Sequence, residues 1–315
     1  MNPRAKVNLA LGIVGQRPDG FHELVSVFVR LDLADRLTVR SLGLPPTLDP
    51  AADRLHVAGA QGLAPDPDNL VLRAARLLRA LAARPLEPLA FDLEKRIPVA
   101  AGLGGGSADG AAALALAAHA WGLTLTTGER RHLAARLGSD VPFFASGSEA
   151  ALVQGRGEVV EPLPAPAGAP GFLLATDPHG LATADVFGAL AAAGGPPGPD
   201  APATRAALAL VEALRAGLDG PGLASWAPRL RDANDLWPPA ATLRPVLGGL
   251  RRALEERLGR PLLLSGSGPT LLALYPSLDE ARTAASGIAT RPVAGHEAAQ
   301  VRAAGMGREE ERQER

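Results

Sequence analysis

Pro98-Val-Ala-Ala-Gly102-Leu-Gly104-Gly105-Gly106-Ser107-Ala108-Asp109 decides how this chain is read. A predicted strand, Leu89 to Leu93, precedes the run, and an alanine-rich helix predicted from Ser107 to Trp121 follows it. Glycine lets backbone N–H groups come close to an anion, and a helix N-terminus adds partial positive charge. Strand, glycine loop and helix together therefore predict a phosphate cradle, with a nucleotide triphosphate tail as its ligand. A flexible glycine linker is the bland alternative, and the ordered flanks argue against it. Two familiar phosphate loops fail on the letters. A Walker loop needs Gly-Lys before Ser or Thr, and the chain has no Gly-Lys pair; the dinucleotide fingerprint needs glycine where Ser107 stands.

Composition narrows the field further. The 315 residues leave room for one large domain or two ordinary ones, and a formal net charge of -1 with 3% aromatics gives no basic stripe or stacking surface for nucleic acid. No signal peptide precedes Lys6 and no apolar run reaches membrane-spanning length, so a soluble, cytoplasmic protein with no membrane partner is expected. The absence of cysteine excludes disulfides, thiolate catalysis and cysteine-based zinc sites. Six histidines (His22, His56, His119, His132, His179 and His296) show no metal-ligand spacing. Among 32 Lys plus Arg only Lys6 and Lys95 are lysine, and the only asparagines are Asn2, Asn8, Asn69 and Asn234. Where composition runs so strongly against these types, a survivor marks a position that arginine or another residue would serve badly, chance survival being the alternative. A lysine is a compact charge with a tunable pKa, which suits an active site.

Along the chain, Val7, Leu9, Leu11 and Ile13 alternate as in a half-buried strand, and Arg17-Pro18-Asp19-Gly20 supplies a turn to a return strand, Leu24 to Leu31. A strand at Arg36 to Leu42, loop with short strands over 43–68, and an amphipathic helix from Leu70 to Ala83 capped by Asp68 or Asn69 follow. Thr126 and Glu129 form a capping box for a helix ending near Leu137. Strands are expected at Glu149 to Gln154, Glu158 to Leu163 and Phe172 to Thr176. Helices are expected after Thr183 and over Ala203–Ala216, Gly222–Leu230, Pro239–Leu258 and Asp279–Ala289, with a strand, glycine turn and strand over Leu262–Leu274. Strands and helices mix in both halves without strict alternation, which predicts an α+β protein of two domains, 1–162 and 163–304, joined at the proline-rich stretch Pro162–Pro170. The charged residues 305–315 are expected to form a disordered tail.

Lys6-Val-Asn8-Leu-Ala-Leu, Gly15-Gln-Arg-Pro-Asp-Gly-Phe21-His22, the Pro98–Asp109 loop, Gly138-Ser-Asp140-Val-Pro142 and Ser265-Gly-Ser-Gly-Pro269, in that order, resemble the GHMP kinase superfamily over Pro3 to about Ala303. The Arg-Pro-Asp-Gly-Phe-His segment is most similar to the branch of that superfamily whose acceptor is 4-diphosphocytidyl-2-C-methyl-D-erythritol. The resemblance implies a ribosomal protein S5 domain 2-like N-terminal domain, a ferredoxin-like α/β plait after it, and a cleft between them. It also implies ATP-dependent phosphorylation of the 2-hydroxyl of the methylerythritol group in the non-mevalonate route to isoprenoid precursors, with Mg²⁺, by a monomer or homodimer.

By the same resemblance Asp140 is the general base and Lys6 its partner cation, with Asn8, Phe21, His22 and Thr183 on the acceptor. Phe21 and His22 would take the cytosine end. Asn69, Lys95, Pro98, Gly102, Leu103, Gly104, Gly105, Gly106, Ser107 and Ala108 would hold ATP, Ser107 doubling as a magnesium neighbour, and the Ser265–Pro269 turn would complete the site. Without the resemblance these residues have plainer readings: Asp140 and Asn69 as helix caps, Thr183 as another, Lys95 as a solvated strand end, Phe21 and His22 as packing. Departures from the family pattern are Arg4 between Pro3 and Ala5, Phe21 in place of tyrosine, Ala108 for a second serine, Gly110 for alanine, and alanines around Thr183. Two other readings stay open: a GHMP kinase of homoserine or mevalonate type, and a nucleotide-binding protein without catalysis, for which Lys6 and Asp140 would have no use.

Overall fold

The structure, a computed structural model, describes residues 1–59, 68–290, 293, 295 and 299–306. Its N-terminal half opens on a long hairpin, β1 (Arg4–Gln16) and β2 (His22–Ala34), joined by a turn in which the Gly20 N–H donates to the Arg17 carbonyl at 3.0 Å. β3 (Arg36–Ser41), β4 (Arg54–Ala58), α1 (Leu70–Ala82), β5 (Leu89–Glu94), α2 (Gly105–Ala120), α3 (Thr127–Leu137), α4 (Val141–Ser146), β6 (Ala150–Gly155) and β7 (Val159–Leu163) complete it. β1-β2-β6-β7 form an antiparallel sheet; in the sheet β3-β5-β4, β4 runs parallel to β5.

The second half comprises β8 (Gly171–Thr176), α5 (Thr183–Ala192), α6 (Pro202–Arg215), α7 (Gly220–Ser225), α8 (Ala227–Leu230), α9 (Trp237–Leu243), α10 (Val246–Leu258), β9 (Leu263–Leu264), β10 (Thr270–Tyr275), α11 (Leu278–Thr290) and β11 (Gln300–Gly305). Its antiparallel sheet has the order β11-β8-β10-β9, the α/β plait that the resemblance implied.

Local chemistry explains most elements. Asn69 caps α1, its Oδ1 accepting the Val71 N–H at 2.9 Å, and Thr126 and Glu129 close both bonds of the capping box on α3. α2 has alanine on every side because it is buried rather than amphipathic, packing on α1 and α4. At Gly110 a Cβ would lie 3.0 Å from Leu70 Cβ, so the glycine permits the close approach of α1.

Several expectations shift. β1 is buried on both faces rather than half-buried: Val7 and Leu9 enter a core shared with Phe172, Leu210 and Leu272, while Lys6 and Asn8 on the opposite face form the floor of a cleft. α2 starts at Gly105, two residues early, so two glycines form its first turn. The helix expected over Gly222–Leu230 is split because Pro228 has no N–H to give Ala224, and that over Pro239–Leu258 is split at Arg244 and Pro245, the residue before a proline being driven out of helical geometry. β11 was not anticipated. Gly305 ends it and Met306 is buried, so the chain stays in the fold through 306; the rest of the expected tail and His296 lie outside the described residues.

β2 covers one edge of β1, and loops from distant parts of the chain cover the other. Lys6 N–H donates to the Leu103 carbonyl at 2.9 Å, Asn8 N–H to Ser265 Oγ at 3.4 Å, Leu11 N–H to the Ala233 carbonyl at 2.8 Å and Ile13 N–H to Asp235 Oδ2 at 2.8 Å. A potentially exposed strand edge is thereby closed, and the glycine loop and the 265–268 turn are drawn to the two residues that floor the cleft.

Candidate active site

The cleft encloses about 890 Å³ and is bordered by both halves of the chain. Its anion end is the glycine loop. Gly102 and Gly104 have φ of 74° and 70°, where glycine alone is unstrained, and both are also crowded. A Cβ on Gly102 would sit 2.1 Å from the Ser265 carbonyl oxygen, and one on Gly104 would sit 3.0 Å from Lys6 Cγ. The first main-chain bond of α2 runs from Ala108 N–H to the Gly104 carbonyl at 2.9 Å. The N–H groups of Gly105, Gly106 and Ser107 therefore have no partner in the helix, and all three residues line the cleft. Pro98 and Leu103 line it too. Ala108 does not: it is buried with Phe28 and Phe143, so its side chain supports the loop from below instead of contacting a ligand.

Beside this cradle stands the pair Lys6 and Asp140, Nζ to Oδ2 3.4 Å. Lys6 is buried from β1, with Nζ 4.5 Å from the centroid of the Phe28 ring and donating to Asn8 Oδ1 at 2.6 Å. Asn8 is itself fixed, its Nδ2 donating to Ser26 Oγ at 2.9 Å and Ser26 in turn to the Ala10 carbonyl at 2.6 Å. Asp140 occupies the cap position of α4 but makes no capping bond with its side chain, which keeps 30% of its surface exposed in the cleft. The capping explanation thus accounts for its backbone and not for its carboxylate. A carboxyl group beside a buried lysine, at the end of an anion cradle, is placed to take a proton from a hydroxyl that attacks the bound anion.

The opposite end of the cleft is aromatic. His22 stacks on Phe187 of α5, ring centroids 4.8 Å apart and planes at 28°. Burial pushes the imidazole pKa down, favouring the neutral ring, and Nε2 is buried without a hydrogen-bond partner. Phe21 is 46% exposed, with the Arg156 guanidinium 4.9 Å from its centroid. Phe187 and Arg156 line the cleft and were not identified from sequence. The signal for Phe187 was its place four residues after Thr183, on the same helix face; Arg156 falls in the short connection between the strands expected at Glu149–Gln154 and Glu158–Leu163, where no local pattern marks it.

The remaining candidates hold surprises. Lys95 is not a solvated strand end. Its ammonium is buried between Asp35 and Asp109, with Asp109 Oδ2 at 2.7 Å. Asp35 also accepts the N–H groups of Arg96 at 2.5 Å and Ile97 at 2.8 Å, which anchors the approach to the glycine loop. Burial, with the negative Asp35 nearby, raises the Asp109 pKa to about 7 against the opposing pull of Lys95. Asn69 lines the cleft while capping α1. Thr183 is not a cap: Ala182 holds that position, and Thr183 Oγ1 pairs with Ser267 Oγ at 3.0 Å. Gly266 and Ser267 of the C-terminal turn border the cleft, and Ser265 Oγ donates to the Gly102 carbonyl at 2.9 Å. Among the described residues no three His, Asp or Glu gather to hold a metal ion, and no helix is long and apolar enough to cross a membrane.

Comparison with known proteins places this geometry. Models of the GHMP kinases N terminal domain and GHMP kinases C terminal match residues 69–148 and 210–293. A 4-diphosphocytidyl-2-C-methyl-D-erythritol kinase of Synechococcus sp. (strain JA-3-3Ab) is 40% identical over 89% of this chain and 86% of its own length. The enzyme of that name from Nitrobacter hamburgensis is 42% identical over 90% and 89%. A crystal structure of 4-(cytidine 5'-diphospho)-2C-methyl-D-erythritol kinase superposes with a TM-score of 0.69 at 33% identity, covering 98% of this chain and 99% of that one. A homoserine kinase from Cytophaga hutchinsonii, at 21% identity and a TM-score of 0.60, shares the fold.

Proposed function

Since the chain belongs to the 4-diphosphocytidyl-2-C-methyl-D-erythritol kinase family of GHMP kinases, we propose that its cleft transfers the γ-phosphoryl group of ATP to the 2-hydroxyl of 4-diphosphocytidyl-2-C-methyl-D-erythritol, a step of non-mevalonate isoprenoid precursor biosynthesis. The observation that carries the reading is the Lys6–Asp140 pair, 3.4 Å apart beside the glycine cradle.

The residues divide the work. The glycine loop and the first turn of α2 offer N–H groups to the triphosphate, with Asn69 and the Lys95 region at the nucleoside side. Asp140 accepts the hydroxyl proton as the oxygen attacks the γ-phosphorus; the P–O bond to ADP breaks and the phosphorylated acceptor keeps the oxygen. Lys6 holds the Asp140 carboxylate in place and offsets charge as it builds on the transferring group, and Asn8 keeps the ammonium aimed. His22 on Phe187, with Phe21 across the same end, suits the flat cytosine ring, and burial favours the neutral imidazole in that stack. In this assignment 1–162 supplies the ATP cradle and the reacting pair, while 163–304 supplies Phe187, Thr183 and the Ser265–Pro269 turn.

Magnesium suits a site of this kind when it rides on the phosphates. Ser107 offers one hydroxyl at the cradle, which would suit an ion that keeps most of its waters. Bound there it would neutralise triphosphate charge.

The test is ADP release from Mg-ATP with the cytidyl acceptor, with homoserine and mevalonate as controls. Turnover confined to the cytidyl compound supports the reading. Turnover of a control instead, or ATP binding with no turnover at all, refutes it.

A further inference from the structure

Asn234 is one of four asparagines in the chain, and nothing in the proposed chemistry uses it. It is buried, 5% exposed, and every polar atom of its side chain is engaged. Its Oδ1 accepts the Leu236 N–H at 2.9 Å, and its Nδ2 donates to two carbonyls, those of Leu264 and Gly266, each at 2.9 Å. Those carbonyls flank Ser265 on both sides. Ser265 Oγ in turn donates to the Gly102 carbonyl at 2.9 Å and receives the Asn8 N–H at 3.4 Å. The backbone at Gly266 lies against the reacting pair's support: a Cβ there would be 3.3 Å from Asn8 Oδ1 and 3.4 Å from Lys6 Nζ. The segment carrying Asn234 is tied to β1 as well, through Leu11 N–H to the Ala233 carbonyl at 2.8 Å and Asp235 N–H to the Leu11 carbonyl at 2.9 Å.

We propose that Asn234 is a positioning residue for phosphoryl transfer: by clamping the carbonyls on either side of Ser265, it fixes the turn that holds both the glycine loop and the Lys6–Asn8 floor in register. The task needs two N–H donors and one acceptor on a short side chain, which asparagine supplies. Aspartate has the acceptor and no donor, and it would set a charge against two carbonyl oxygens. A misplacement of about 1 Å at such a support is enough to cost on the order of 100-fold in rate. The inference rests on reading the cleft as a kinase site, and one arm of its test does not.

The experiment compares Asn234→Asp, Ser265→Ala and the double variant with the wild-type chain. It measures turnover of Mg-ATP with the cytidyl acceptor, thermal melting, and hydrogen exchange over residues 98–106. The expected result is a kcat lowered at least about 20-fold in N234D with KM for ATP changed less than about threefold, as for an interaction that matters in the transition state. S265A should lose at least about fivefold, and the double variant should be no worse than N234D, because both act through one turn. Exchange over 98–106 should quicken in every variant. A folded N234D whose kcat stays within threefold of wild type, a glycine loop that exchanges at the wild-type rate, or losses that multiply in the double variant would each overturn the proposal. Should N234D fail to fold, S265A, which leaves both Asn234 donors in place, decides by the same kcat and exchange criteria. A wild-type chain inactive on the acceptor would sink the kinase reading, and the exchange arm alone would then judge the clamp.

Discussion

The chain's two lysines border the same cleft and are built in opposite ways. Lys6 shares its ammonium between a neutral amide oxygen and one carboxylate that stands off at 3.4 Å and remains partly exposed. Lys95 is enclosed by two carboxylates, both almost wholly buried. Charge is fully compensated around Lys95 and only partly around Lys6. A doubly paired ammonium has little field left for a ligand and chiefly braces the structure around it, here the end of β2, the end of β5 and the first turns of α2. A loosely paired one keeps its field for charge that arrives or develops later. The sequence bias against lysine is thus consistent with two different reasons for keeping it.

Breaking the Lys95 centre should have the largest effect. Lys95→Met leaves Asp35 and Asp109 buried without a counter-charge and should lower stability by about 3 to 5 kcal/mol, read as the chemical denaturation midpoint. An unchanged midpoint would dissolve the distinction between the two centres. Lys6→Met should instead spare most of the stability and cut kcat by about 100- to 1000-fold, and Lys6→Arg should recover little of it, since a planar fork replaces a point charge between Asn8 and Asp140. Steady-state kinetics beside a melting curve separates the two outcomes.

The Asp109 carboxyl sharpens the comparison through pH. Its pKa in the fold, about 7, lies above the usual value near 4 of an unfolded chain. The unfolded state therefore sheds this proton first, and the contribution to stability, complete below about pH 4, is lost as pH rises toward 7, by up to about 1.4 kcal/mol per unit. Asp109→Asn should flatten the stability profile between pH 5 and 7; the same slope in the variant would assign it to another group. At the aromatic end, away from both lysines, Phe187→Ala should raise the KM for the cytidyl acceptor about tenfold with little change in the KM for ATP, the scale of one lost stacking surface. Equal effects on both KM values would argue against a cytosine platform there.

What could be read from the letters was whatever a local pattern encodes. The glycine loop between strand and helix, the Asn69 cap, the Thr126–Glu129 box and the hairpin turn at Arg17–Gly20 each require only neighbours in sequence. The cleft also gathers most of the residues named from the resemblance; Ala108 lies beneath it, and of the Ser265–Pro269 turn only Gly266 and Ser267 border it. The surroundings of those residues were not legible, because they are set by residues far away in the chain. Lys95 reads as solvated until β2 brings Asp35 to it across 60 positions. Thr183 reads as a cap until the 265–268 turn arrives beside it. β11, Gln-Val-Arg-Ala-Ala-Gly, carries little apolar alternation of its own and forms by pairing with the edge of β8. In sequence Asn234 is marked only by its rarity, because the Leu264 and Gly266 carbonyls that its side chain bonds lie 30 and 32 positions further along the chain.

The most direct test of the account is single-turnover phosphoryl transfer by Asp140→Asn at saturating Mg-ATP and cytidyl acceptor, with ATP affinity measured alongside. The account predicts a transfer rate lowered about 1000-fold with ATP affinity within about threefold of wild type, since the cradle stays intact while the proton acceptor is gone. A variant that transfers within tenfold of the wild-type rate would show that Asp140 is not the base, and the Lys6–Asp140 pair would then no longer carry the function assigned to it.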